Sequence, residues 1–175
     1  MNNNTTVYIG MDVHKGNFTL CSLAEGEENP RNVMTVEADY LQIVTYINGL
    51  RKRYGEETEF VCGYEAGCLG YSLYRSLTGC GQKCVILAPT TMAIEEGNRR
   101  IKTDKRDAKN IAICLRNHTY RAVHIPTEED DQVKEYIRMR NDLKANLRRI
   151  KQQLLAFCLR HGWVYKETKH YWTTS

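Results

Sequence analysis

Residues 102–112 read KTDKRDAKNIA. Two aspartates, Asp104 and Asp107, stand three apart among Lys102, Lys105, Arg106 and Lys109, with Arg99 and Arg100 just upstream. On a helix, residues at that spacing share one face. Such a pair can do either of two jobs. Asp104 can act as an N-cap, with Asp107 imitating a capping box and favouring the helix dipole. Alternatively, both can give oxygen ligands to a divalent cation, with the basic side chains contacting a phosphate backbone. Metal chemistry needs more carboxylates, and two others end apolar runs. They are Asp12 in TVYIGMDVHK and Glu65 in TEFVCGYEAG. A carboxylate closing an apolar strand is costly unless paired or metal-bound, although Asp12 also suits an ordinary turn.

The elements that must position these groups follow from periodicity. TVYIGMDVHK reads as a buried strand. NFTLCSLA follows a tight turn at Lys15-Gly16, and RNVMTVEA makes a third strand after EGEENP. Asp39 caps a helix over residues 40–55, with Leu41, Val44, Ile47 and Leu50 inward and Gly55 at its end. TEFVCGYEAG is the fourth strand, LGYSLYRSLTGCG a helix stopped by glycines, and KCVILAP a fifth strand broken by Pro89. TTMAIEEGNRR is a short polar-flanked link. A helix from Asp104 carries the apolar stripe Ala108, Ile111, Ala112, Leu115. A long helix then spans about Glu128 to His161, with Gly162 at C′. The expected domains are residues 1–125, a mixed α/β unit, and residues 126–175, a helical tail beyond the acidic HIPTEEDD stretch.

The order βββαβαβα is that of the ribonuclease-H-like fold, a mixed five-stranded α/β sheet. There β1 is central and β4 lies beside it. Asp12 and Glu65 would meet at adjacent strand ends, where open sheets place their sites. Asp104 shares its stripe with Ala108 and Ile111, so its face is expected to point to the sheet. Four converging carboxylates repel unless cations intervene. Two Mg²⁺ or Mn²⁺ ions would resolve this and serve phosphodiester cleavage. His14 either positions phosphate or water or is a half-exposed turn residue. Tyr64 either stacks on a base or packs in the core.

Composition bounds the rest. The chain has 175 residues with 42% hydrophobic content, enough for a packed domain plus an appendage. No apolar run approaches the roughly 20 residues of a membrane span, and the N-terminus lacks a signal-peptide layout. A cytoplasmic location without membrane contact is expected. Seven cysteines lie mostly in apolar segments, which suits reduced, buried side chains. Cys80 and Cys84 lack a second pair at zinc-ligand spacing. The net charge of +4 hides an asymmetry. Residues 1–98 hold seven Lys and Arg against twelve Asp and Glu, and residues 99–175 hold eighteen against nine. The basic half suits nucleic acid or a solvated helical surface.

Three strings in this order, IGMDVHK, GYEAG and KTDKRDAKNIA, resemble the DEDD transposases of insertion sequences, a family of bridge-RNA-guided recombinases. The likeness spans roughly residues 6–160. It implies an N-terminal RuvC-like domain whose catalytic and metal-binding tetrad is Asp12, Glu65, Asp104 and Asp107. It also implies donor and target DNA and a guide RNA as partners. A coiled-coil segment should follow, then a second domain bearing a catalytic serine. The chain holds no recognisable part of that second domain, Ser175 lies in no motif, and complete recombination by this chain alone is not expected.

The tail fits the likeness on its own terms. Tyr136, Arg140, Leu143, Leu147, Ile150, Leu154, Phe157 and His161 alternate steps of four and three, a heptad seam interrupted by Arg140 near its start and suited to a homodimer or higher homo-oligomer. The same stripe would serve packing on its own domain. The expected nucleic-acid contacts are Lys15, Arg99, Arg100, Lys102, Lys105, Arg106, Lys109, Lys144, Arg148, Arg149 and Lys151. The leading reading is the metal-dependent cleavage and strand-transfer domain of a transposase. A Holliday-junction resolvase shares its chemistry. A silent nucleic-acid-binding and dimerisation module is the alternative from another class. A sugar-kinase or actin-like ATPase lacks its second phosphate loop and its duplicated domain here.

Overall fold

A computed structural model of the chain describes residues 5–67, 69–89, 103–164 and 172. Cys68, the 90–100 link, Arg99, Arg100, Lys102 and Ser175 lie outside the described residues. The elements run β1 (Thr6–Val13), β2 (Asn17–Ala24), β3 (Arg31–Glu37), α1 (Tyr40–Tyr54), β4 (Glu59–Glu65), α2 (Ser72–Gly79), β5 (Lys83–Leu87), α3 (Asp104–Asn117) and α4 (Glu128–Arg160). Two compact units divide the chain, Met1–Ile125 and Pro126–Ser175.

In the first unit the strands lie in the order β3-β2-β1-β4-β5. β1, β2 and β3 form an antiparallel meander, and β4 and β5 run parallel to β1 on its other side. This mixed five-stranded arrangement is the ribonuclease-H-like fold. Its outer edge at β5 is partly covered, because Leu87 bridges Ala122 and Val123 donates its N–H to the Ile86 carbonyl. Covering an edge strand in this way removes a template for unwanted pairing.

Strand alternation sorts the side chains into two layers. Val7, Ile9 and Met11 of β1 and Phe60, Cys62 and Tyr64 of β4 pack with α1 and α2 residues in the larger core. Tyr8 of β1 points the other way, to Ile111, Cys114 and Leu115 of α3. Cys21 and Leu23 of β2 meet Ala108 and Ala112 on that same side. Tyr64 is fully buried and donates its hydroxyl to the Gly70 carbonyl, so it is a core residue and not an exposed stacking platform.

Two details differ from the sequence expectation. α1 buries Ile43, Tyr46, Ile47 and Leu50, while Leu41 is 51% exposed. The inward stripe is therefore displaced around the helix from the one starting at Leu41. The cap of α3 is Thr103, whose hydroxyl accepts from the Arg106 amide. Asp104 is the first helical residue, and the capping-box position belongs to Arg106, not Asp107. The N-cap position therefore belongs to neither aspartate.

Of the described cysteines, Cys21, Cys62, Cys84 and Cys114 are buried and all six are free thiols. Burial pushes the Cys21 and Cys84 thiols up to about 12, which keeps them unreactive. In the second unit α4 runs for 33 residues and buries none of them. Gly162 follows its end in the left-handed region, at φ 70°. Among the described residues no helix is long and apolar enough to cross a membrane.

Candidate metal centre

The site begins with two glycines. Gly10 and Gly63 are register partners on β1 and β4. A Cβ on Gly10 would lie 2.0 Å from the Ala108 carbonyl oxygen and 2.5 Å from the Ala112 nitrogen. One on Gly63 would lie 2.8 Å from both Leu115 methyls. α3 thus lies directly on the bare backbone of the two central strands. Two residues further along each strand, on the same face, come Asp12 and Glu65. One helical turn before Ala108 comes Asp104. The close approach at Gly10 is what brings the start of α3 over the end of β1.

Asp12 is half-buried, its side chain 15% exposed. The His14 Nε2 lies 3.2 Å from Asp12 Oδ2 and 3.8 Å from Asp104 Oδ1. Asp12, His14 and Asp104 each bring a ligand atom within 4.8 Å of the others. Among the described residues no other group of His, Cys, Asp or Glu meets so closely, which leaves Cys80 and Cys84 outside any such cluster. Burial raises the Asp12 pKa above the usual carboxylate range; His14 opposes this, and the nearby charges of Asp107 and Asp104 add to it. Asp107 is therefore an electrostatic neighbour of Asp12.

Glu65 closes β4 one step past the Met11–Tyr64 pair, level with Asp12. Neighbouring strands lie about 4.8 Å apart, so its backbone flanks the site. Its carboxylate is not part of the close trio. Asp104 meets Asp12 and His14 at the end of β1 but keeps 54% of its side chain exposed, so it lies at the rim of the site and is more open to water than expected. The donor set of carboxylates and one imidazole, with a disfavoured charge on Asp12, fits a divalent cation.

His14 is the residue that sequence reasoning undervalued. Its amide donates to the Asn17 carbonyl at 3.0 Å, closing the two-residue Lys15-Gly16 hairpin. That hairpin places Lys15 at an exposed tip. The available signal was the spacing Asp-x-His at a strand end, which puts both side chains on one face. Lys105, Arg106 and Lys109 are exposed along the start of α3. In the second unit, Lys144, Arg148 and Lys151 line a groove of about 500 Å³ with Leu147, Gln152, Leu155 and Trp172. Lys151 Nζ lies 5.0 Å from the Trp172 ring centre, and Arg149 donates to Asn146.

The family model for DEDD transposases of the IS110 type, described as a transposase, matches residues 9–161. A transposase of insertion sequence element IS1533 from Leptospira borgpetersenii is 36% identical over 170 residues, covering 97% of this chain and 48% of that protein. A Sinorhizobium fredii protein named as the transposase y4qE is 33% identical over 167 residues, covering 95% of this chain and 42% of that protein. The chain spans about half the length of these curated relatives. Among solved structures, Thermus thermophilus RuvC in complex with a Holliday junction substrate superposes with a TM-score of 0.43 at 12% identity, over 67% of this chain and 99% of that one. With a family match running from within β1 to the end of α4, the chain belongs to the DEDD transposases of the IS110 type.

Proposed function

We propose that residues 1–125 are the metal-dependent strand-cleaving domain of a DNA transposase, and that residues 126–175 are its self-associating, nucleic-acid-binding arm. The observation that carries this is the meeting of Asp12 and Asp104 at the end of β1, with Asp107 acting on Asp12 and Glu65 level with it. In this reading Asp12, Glu65, Asp104 and Asp107 hold Mg²⁺ or Mn²⁺, two ions in the working complex. When bound, such ions supply Lewis-acid charge to the attacking and leaving oxygens of a phosphodiester.

The chain's own residues do the rest. Gly10 and Gly63 let α3 hold its acids against the strand ends. Lys15, Lys105, Arg106 and Lys109 surround that end of the sheet and bind phosphates, together with Arg99, Arg100 and Lys102. Such contacts position a duplex without reading its sequence. The partners are the donor and target DNA ends and a guide RNA, engaged also by Lys144, Arg148, Arg149 and Lys151. Leu143, Leu147, Ile150, Leu154 and Phe157 are all exposed at heptad spacing, and a second copy of the chain is the occupant this spacing suits. Complete recombination in this reading draws its serine from a second domain.

The test is a Mn²⁺ titration of the metal-stripped chain. Binding should be present in the wild type and lost in Asp12→Asn and in Glu65→Gln. Unchanged affinity in both variants refutes the carboxylate assignment.

A further inference from the structure

We propose that His14 is a nitrogen ligand of the divalent cation held by Asp12 and Asp104. The inference rests on the carboxylate site proposed above and adds a residue outside its tetrad.

The geometry is that of three donors meeting, not of one ion pair. The same ring atom, Nε2, lies 3.2 Å from Asp12 Oδ2 and 3.8 Å from Asp104 Oδ1. A single N–H donates one well-aligned hydrogen bond, so it serves the Asp12 oxygen and leaves Asp104 Oδ1, on a side chain 54% exposed, to solvent. A cation between the three atoms serves all of them. Donors bound side by side on one octahedral ion at about 2.1 Å lie about 3 Å apart, so the three atoms, all within 4.8 Å of one another, must draw together around it.

The ring is also held in place. His14 follows the end of β1, and its ring reaches both Asp12 and Asp104 at the start of α3. The His14 amide is bonded across the hairpin, which fixes the backbone carrying the ring. The imidazole remains 55% exposed, so nothing in the core depends on it.

Adding an imidazole changes what the site selects. All-oxygen sites suit Mg²⁺, Ca²⁺ and Mn²⁺, whereas imidazole nitrogen draws a site towards later first-row ions. The centre should therefore prefer Mn²⁺ over Mg²⁺ more strongly than four carboxylates would. The rival role, an imidazolium counter-ion that a metal must displace, predicts the opposite response. Removing a positive charge would then tighten metal binding.

The experiment uses the intact chain, stripped of metal and loaded with Mn²⁺ alone, read by pulsed electron paramagnetic resonance and by titration. Nitrogen-14 modulation from a bound imidazole is expected in the wild type and absent in His14→Ala and His14→Asn. Mn²⁺ affinity should fall by at least about tenfold in both variants, with a smaller loss for Mg²⁺. Circular dichroism should show both variants folded, since the ring is exposed. Absent modulation in a loaded wild type, or unchanged or tighter binding in His14→Ala, overturns the proposal. If Asp12→Asn still abolishes Mn²⁺ binding in that case, the carboxylate reading stands alone. A wild type that binds no Mn²⁺ refutes both.

Discussion

Replacing Gly10 by alanine tests the contact on which the site depends. The added Cβ would sit 2.0 Å from the Ala108 carbonyl oxygen, where ordinary contacts begin near 3.4 Å. The obstruction is helix backbone and has no rotamer to change. α3 must rise by about 1.4 Å, taking Ala108, Ile111, Ala112, Cys114 and Leu115 partly out of their contacts. Overpacking of a tight core costs about 1–3 kcal/mol, more where backbone must move, so a loss of about 3 kcal/mol is expected. With a urea slope near 2 kcal/mol/M, that lowers the midpoint by about 1.5 M. Both tryptophans, Trp163 and Trp172, lie beyond the sheet-bearing unit, so their emission reports the wrong unit. Amide exchange of β1 and β4 under rising urea is the proper assay. Gly49→Ala is the control, because nothing lies within 4 Å of its added Cβ in the interior of α1, and it should gain about 0.5–1 kcal/mol. A Gly10→Ala chain within about 0.5 kcal/mol of wild type refutes the close approach and the placement of Asp104 that follows from it.

Three further outcomes are expected. Asp12 has a raised pKa in the fold, so the native state holds its proton more tightly than the unfolded chain. Its contribution to stability therefore falls as pH rises from the unfolded carboxylate value through the folded one. Asp12→Asn should raise the urea midpoint of the metal-free protein at pH 7, with the gain shrinking on acidification, and a lower midpoint at pH 7 refutes it. Leu147→Asp with Leu154→Asp should convert a self-associated chain to monomer in analytical ultracentrifugation; a wild-type monomer at tens of micromolar contradicts the seam. Replacing Arg148 and Arg149 by alanine should weaken nucleic-acid binding and reduce its salt slope by up to about two contacts, and an unchanged slope removes them from the interface.

Much of the fold could be read from local pattern. The bounds of β2 follow from its apolar run and flanking turns, and Gly162 marks the end of α4. The face of α1 could not be read so securely. Leu41, Val44, Ile47 and Leu50 fit helical spacing as well as Ile43, Tyr46, Ile47 and Leu50 do, and the position of the sheet decides between them. The cap of α3 was missed because aspartate is a good cap in isolation, while Thr103 stood one residue earlier. The placement of the acids was encoded more plainly than the motifs suggested. Gly10-x-Asp12 and Gly63-x-Glu65 put a bare backbone and a carboxylate on one face of adjacent strands. That pattern marks where a helix can press close and what it will find at the strand end.

The acids in the basic stretch can now be weighed against their surroundings. Thr103 already caps α3, so the helix does not need Asp104 or Asp107 for that purpose. Negative charge in a first turn gains about 0.3–1 kcal/mol from the helix dipole, a modest reason to keep them. Against it stands their effect on Asp12, whose ionised form burial already disfavours and whose charge both aspartates oppose. A helix start could keep the dipole benefit with acids turned away from β1. Instead Gly10 removes the side chain that would hold α3 at a distance, and Asp104 comes to rest against the ring that also meets Asp12. The arrangement concentrates negative charge where the fold gains least from it. A bound cation would reverse the sign of that cost.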